Sequence, residues 1–340
     1  MKKSVWCAAV LFAFVCLVPS AVIPQEIIRG KWKAKRIGDK IDIRMRIIQK
    51  REFGDWQFSR YFQESDFEEF AWGKEANFRL VREAGTFAFE GELSEESGTG
   101  SFAFHPNSEF GNFLAEKGFA DVKDKEMLMF CLNDITRKYI DDLFALGYSD
   151  ISSSKLISFA IHDVSIDFIK GIQALGYKDI SPSQLVSFSI HNVSVDFIKE
   201  MNSLGYSDID PSKLISFAIH EVTADYVKKL DSLGYKNIDL SSLISFRIHD
   251  VEPEFVQGLH DLGYGEISPS KLISFAIHDV TVDFIEGIQS VGYKDISPSQ
   301  LISFRIHDVD KKFIERVNEK WEKKLTPSKI ISLKIRDFSS

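Results

Sequence analysis

His162, His191, His220, His249, His278 and His307 stand 29 residues apart, with no insertion or deletion between any two of them. Each closes one phrase, of which Lys271-Leu-Ile-Ser-Phe-Ala-Ile-His-Asp-Val280 is a representative copy. Carried outward, the interval lands on Asn133 and on Arg336, so about seven and a half copies run over residues 123–337. A second column, Tyr148, Tyr177, Tyr206, Tyr235, Tyr264 and Tyr293, lies 15 residues after the first and follows a glycine each time. Spacing this regular restricts the fold to a stack of like supersecondary units, because each unit covers its apolar face only with its neighbours.

Two helices are predicted per copy. Ser181-Pro182-Ser183-Gln184 supplies a cap, a proline at the first helical position and a Gln to complete a capping box. Equivalent caps recur at Ser152, Asp210, Asp239, Ser268, Ser297 and Thr326. The second helix starts after Ser165, Ser194, Thr223 or Thr281, with an acidic residue two positions on where the helix dipole favours it. Its end at Leu-Gly-Tyr places glycine in the left-handed position and folds tyrosine back on the preceding turn. Neither helix is long enough to persist alone, so the expectation is an α-solenoid. After His307 the glycine-tyrosine pair is replaced by Trp321-Glu322, and the charged helix before it reads as a terminal cap.

Residues 26–107 carry a different period. Ile41, Ile43, Met45 and Ile47 alternate with Lys40, Asp42, Arg44 and Arg46, the pattern of a half-buried strand. Further strands are predicted over Trp32–Arg36, Trp56–Phe62, Phe78–Arg82, Thr86–Glu92 and Ser101–His105. The expected unit is a small antiparallel β-meander, a sandwich or half-open barrel, with the aromatics on one packed face or around an aromatic ligand pocket. Residues 108–122 are read as a bridging helix, capped by Ser108 and ended by Gly118, followed by a charged hinge from Asp121 to Glu126. The fold class is therefore α+β in two domains.

The histidine column invites a metal reading, which geometry opposes. Ligands of one zinc ion lie about 2 Å from it, whereas equivalent residues of stacked repeats are separated by about 10 Å. A structural role is expected, with each imidazole at the end of the first helix bonding to free carbonyls or to the next loop. The tyrosines suit packing better than a stacking platform, given the glycine before each. One column varies by charge: Asp141, Lys170, Lys199, Lys228, Gln257, Glu286 and Glu315, basic in copies two to four and acidic in the last two. Lys170, Lys199, Lys228, Glu286 and Glu315 are the candidate partner-binding residues, a graded strip able to orient an elongated ligand.

The formal charge of −8 argues against a nucleic-acid backbone as the main partner. Residues 1–20 read as a secretory signal, with Lys2 and Lys3 before the apolar run Val5–Val18, too short to span a bilayer. Cys7 and Cys16 fall in that leader, which leaves Cys131 unpaired, and it is expected at least partly exposed because other copies place Arg or Lys there. No His-Glu-x-x-His, Gly-x-Ser-x-Gly, Walker, Cys-x-x-Cys or Gly-x-Gly-x-x-Gly motif is present, and no cofactor is expected.

The repeat phrase with its Leu-Gly-Tyr, preceded by Arg82-Glu-Ala-Gly-Thr-Phe-Ala-Phe-Glu-Gly91 and Gly98-Thr-Gly-Ser-Phe-Ala-Phe104, resembles the C-terminal extracytoplasmic part of bacterial membrane metallopeptidases related to β-lactam sensors and antirepressors. The resemblance covers about residues 30–340. It implies an exported bacterial sensor-like or scaffolding module. The zinc-peptidase motif and membrane helices of that family are absent here, so no catalytic residue carries over. The expected function is non-enzymatic binding of a protein or peptide along the solenoid. The alternative is a small molecule or glycan held by the β-domain, with the repeats as a stalk.

Because the column histidines are too far apart to chelate jointly, calorimetry should find no stoichiometric sub-micromolar zinc or nickel binding by the repeats. Several tight sites would overturn the structural reading of that column.

Overall fold

The computed structural model describes residues 26–48, 56–119 and 122–337, and the expected leader, with Cys7 and Cys16, lies outside them. The chain divides into two compact units, one reaching Asp142 and including Ser152–Ile157, the other formed by Leu143–Ile151 and Ser158 onward.

In the first unit, β1 (Ile28–Ile37), β2 (Lys40–Ile47), β3 (Gln57–Phe62), β4 (Glu75–Arg82), β5 (Gly85–Leu93) and β6 (Ser97–Pro106) form one antiparallel sheet. Its order is β3-β2-β1-β6-β5-β4. This is the order of an up-and-down barrel left unclosed between β3 and β4, the half-open form of the two expected. The link across that seam is not a hairpin. It carries a single 3-10 turn, Glu64–Asp66, and Glu68 forms an isolated bridge to Arg79. Phe67 sits in the opening, its ring centroid 5.2 Å from Phe62 and 5.3 Å from Phe78.

Alternation delivers one face to the core. Trp32, Ile43, Phe78, Phe87, Phe89 and Phe104 are fully buried. The rings fill space against each other, with Phe78 stacked on Phe89 at 4.7 Å and Trp32 edge-on to Phe78 at 5.5 Å. The Trp32 indole N–H donates to the carbonyls of Glu90 (3.2 Å) and Ser101 (3.1 Å), which meets the hydrogen-bonding need of a buried tryptophan. That bond requires Gly100 opposite, because a Cβ there would overlap both the Glu90 carbonyl and the indole.

Helix α1 (Ser108–Glu116) buries Phe110 and Leu114. Its cap is Asn107, whose side chain accepts from the Glu109 N–H at 3.0 Å, rather than the expected Ser108. The stretch read as a hinge is mostly helix: Asp124, Lys125 and Glu126 form the first turn of α2 (Asp124–Leu132), and Asp121 lies outside the described residues. Glu126 closes that turn by accepting from the Lys123 N–H at 3.0 Å. Helix α2 packs on β5 and β6. Cys131 is consequently buried, contrary to the exposure expected from its counterparts in other copies, and its thiol donates to the Gly85 carbonyl at 3.3 Å. In the first copy β5 and its Gly85 carbonyl take the place that the preceding copy and its histidine carbonyl hold beside Ser189, Arg247 and Arg305. Burial pushes the thiol well above its ordinary range, away from reactivity.

The repeats continue with α3 (Arg137–Ala145), paired with α2, then α4 (Ser153–Ile161) with α5 (Ile166–Ala174), and α6 (Pro182–Ile190) with α7 (Val195–Ser203). After these come α8 (Pro211–Ile219) with α9 (Ala224–Ser232), α10 (Leu240–Ile248) with α11 (Pro253–Asp261), and α12 (Pro269–Ile277) with α13 (Val282–Ser290). The last are α14 (Pro298–Ile306) with α15 (Lys311–Lys320), and α16 (Pro327–Asp337) alone. Among the described residues no helix is long and apolar enough to cross a membrane.

Local chemistry sets these boundaries. Ser181 and Ser297 complete capping boxes with Gln184 and Gln300, and Ser165, Ser194, Thr223 and Thr281 accept from the N–H three residues on. The second helix of each copy ends as a Schellman motif: the Tyr206 N–H donates to Met201 and the Gly205 N–H to Asn202, with Gly205 at φ +88°. The first helix ends by the same motif with an acidic or amide residue in the glycine position. Thus Val222 donates to Phe217, while Glu221 holds φ +56°. Within the stack Phe159, Phe188, Phe217, Phe246 and Phe275 are fully buried.

Gly205 has open space around its missing Cβ, so only its dihedral resists substitution. Gly205→Val forces a β-branched residue to positive φ and should destabilise the stack by more than about 1 kcal/mol in urea melts. An unchanged midpoint would contradict the helix ending.

Candidate interaction surface of the repeats

The tyrosine column ties each copy to the next. The hydroxyls of Tyr148, Tyr177, Tyr206, Tyr235, Tyr264 and Tyr293 donate to the carbonyls of Ile180, Ile209, Ile238, Ile267, Ile296 and Leu325, each 32 residues on, at 2.7–3.0 Å. A phenol already committed to a neighbour's backbone has no free polar tip to offer a ligand. Burial first, with nearby carboxylates at some positions, raises the hydroxyls of Tyr148, Tyr177, Tyr206, Tyr235 and Tyr264 above the ordinary tyrosine value.

The histidines are also placed differently from a ligand site. Each is half-buried, and His191, His220, His249, His278 and His307 are the C-caps of their helices. None of the six imidazoles makes a hydrogen bond among the described residues, so the expected bonding of the rings to free carbonyls is corrected. It is the main-chain carbonyl of the histidine that is used: His162 accepts from the Ser189 hydroxyl, His220 from Arg247 Nε at 3.1 Å and His278 from Arg305 Nε at 3.2 Å. Ala160, Ala218 and Ala276 occupy that donor position in alternate copies, so these bonds skip every second junction. Among the described residues, no three His, Cys, Asp or Glu side chains gather as a metal site needs.

The charge-graded column lies on the second helix of each copy, and Lys170, Lys199, Lys228, Glu286 and Glu315 are all exposed. Lys199 lies 3.4 Å from Asp196 and Glu315 3.9 Å from Lys311, both within their own helices. Such exposed pairs contribute little to stability, so the column is free to vary.

A column that the charge pattern overshadowed stands out once burial is known. Ile161, Ile190, Ile219, Ile248, Ile277, Ile306 and Ile335, each one residue before the histidine position, are 46–54% exposed. At 3.6 residues per turn Ile219 sits about 200° around the helix from the core residue Phe217, so it points away from the stack. Single exposed apolar residues are ordinary, but seven in register on neighbouring helices are not scattered. Isoleucine is not a strong helix former, and burial does not demand it here. Two nearby positions vary between copies: the residue before it reads Ala, Ser, Ala, Arg, Ala, Arg and Lys, and the residue two after it reads Asp, Asn, Glu, Asp, Asp, Asp and Asp. One turn earlier, Ile215, Ile244 and Ile273 are half-buried and widen the apolar strip.

An open groove of about 510 Å³ lies beside this strip in the middle copies, lined by His191, Phe217, Glu221, Tyr226, Arg247 and Glu252. Its cations are already engaged: Arg247 pairs with Glu252 at 2.5 Å and Glu221 at 3.2 Å and lies over the Tyr226 ring at 5.0 Å, and Lys229 pairs with Asp225 at 3.1 Å. No family model, curated protein or solved structure matches the chain.

Tyr148, Tyr177, Tyr206, Tyr235 and Tyr264 hold their protons more tightly in the folded chain than in the unfolded one. Their contribution to stability is complete below the unfolded value near ~10 and is lost as pH rises above it through the higher folded values. Denaturant midpoints should therefore fall steeply above about pH 10, and Tyr206→Phe/Tyr235→Phe should start lower yet lose less over that range. A loss as large in the double variant would exclude the column as its source.

Proposed function

We propose that this chain is a non-enzymatic interaction module, exported from a bacterial cell, that binds an elongated protein or peptide along the first-helix face of its repeats. The observation that carries the reading is the isoleucine column, seven half-exposed side chains in register. Full burial of one isoleucine gives about 1.5–3 kcal/mol, so covering the exposed half of each gives on the order of 1 kcal/mol. Summed along the column this offsets part of the cost of association, in line with a partner that spans several copies. The graded charges from Lys170 to Glu315 support a direction for that partner, since complementary charge acts on encounter and orientation more than on affinity.

The leader-like residues 1–20 support export, and the missing catalytic motifs support the non-enzymatic part. The alternative, a small ligand inside the β-unit, finds less support, because the rings of Trp32, Phe67, Phe78 and Phe89 already fill that space against each other.

The test is Ile219→Ser/Ile248→Ser/Ile277→Ser, three exposed positions whose loss leaves the buried ladder intact. Proteins retained from envelope extract by the parent and by the triple variant are compared by mass spectrometry, with melting curves as the folding control. A protein held by the parent should be lost selectively from the variant. Identical retained sets from two equally stable chains would sink the reading.

A further inference from the structure

The outer face of the sheet, opposite its aromatic core, sorts charge by strand. Pairing sets Lys31 against Arg46 and Lys33 against Arg44. Both rows continue onto neutral residues, Gln57 and Ser59 of β3 on one side and Ser101 and Thr99 of β6 on the other. Only on β5 do they meet Glu90 and Glu92. Lys35 faces Asp42, whose buried carboxylate is held by Arg44 at 3.0 Å. Lys31, Lys33, Lys35, Arg44 and Arg46, five of the exposed cations on these two adjacent strands, thus share one face with one shielded carboxylate.

Strand geometry makes this a lattice of about 5 by 7 Å. Like charges directly opposite one another destabilise a sheet, so the arrangement is a cost to the fold. Lys31, Lys33 and Lys35 have no ion-pair partner among the described residues to offset it. Four of the cations line one open groove together with Gln57, Ser59 and Thr99. At the two ends of the block, on the same face, Ile27, Ile48, Ile37 and Tyr61 are exposed.

We infer that this face docks on a membrane surface of anionic phospholipid, with headgroup phosphates over the five cations and the flanking isoleucines at the acyl boundary. A two-dimensional lattice of cations matches a plane of headgroups, and apolar residues beside cations are what interfacial binding uses. A single nucleic-acid strand fits less well. It binds on stacking rings, and among the described residues this face offers one exposed ring, Tyr61. The proposal concerns a different unit and a different partner from the isoleucine column, so either can fail alone.

The test uses the full chain and vesicles of phosphatidylglycerol and phosphatidylcholine in equal parts, against phosphatidylcholine alone. Lys31→Gln/Lys33→Gln is compared with Lys178→Gln/Lys236→Gln, a control of equal charge at exposed positions of the repeats. The leader is common to all chains, so its own affinity cancels in the comparison. A basic residue near an anionic surface contributes roughly fivefold in affinity, so the β1 pair should weaken binding to the anionic vesicles about 25-fold. High salt should do the same to the parent. The repeat pair should change little, and the β1 variant should melt no lower than the parent. Ile48→Ser should weaken vesicle binding while leaving binding to inorganic polyphosphate unchanged. Equal binding to both vesicle types, or no difference between the two lysine pairs, would overturn the assignment. Tighter binding to a single-stranded oligonucleotide than to the anionic vesicles would also overturn it and make this a nucleic-acid face.

Discussion

The hydrogen bond from each column tyrosine to a carbonyl 32 residues on is the interaction on which the repeat stack depends. It joins the end of one copy to the end of the next, as Tyr206 to Ile238 just before the Asp239 cap, so it fixes register between neighbours. Apolar burial alone is non-directional. A ladder of Leu, Ile and Phe could slide or rotate, whereas a buried phenol without its acceptor carries the full penalty of an unsatisfied polar group. The glycine before each tyrosine serves the same end, because only a left-handed residue turns the chain back far enough for the ring to lie over the junction.

With the stack held this way, the positions not needed for holding become informative. The second-helix charges drift from Lys to Glu without disturbing the tyrosine bonds at the junctions. The donor beside each histidine carbonyl alternates between alanine and serine or arginine, which shows that a junction tolerates its absence. The isoleucine facing water does not vary. At these positions neither the core nor the junction demands isoleucine. The same logic applies to the β-unit, where repelling cations persist opposite each other on β1 and β2.

Periodicity was a sound guide where copies have the same surroundings and failed where they do not. Cys131 occupies the position of Arg247 and Arg305, yet it is buried, because β5 lies against the first copy. The histidine column was read for its rings when the chain uses its carbonyls, since a C-cap residue contributes backbone acceptors whatever its side chain. The exposed isoleucines were within reach of a helical wheel drawn from Leu214 and Phe217. They were passed over because an apolar residue in an apolar phrase reads as core.

From its sequence alone this chain determined the length of the repeat, the caps and glycines that bound its helices, the number of copies and the six strands before them. Those depend on local dihedral preference and on hydrogen bonds a few residues apart. The tertiary structure decided the β1–β6 pairing that leaves the sheet open between β3 and β4, the burial of Cys131, and the convergence of Lys31, Lys33, Arg44 and Arg46 on one face. Strand partnership and side-chain exposure depend on residues distant in sequence, and alternation along one strand cannot say which strand will lie beside it.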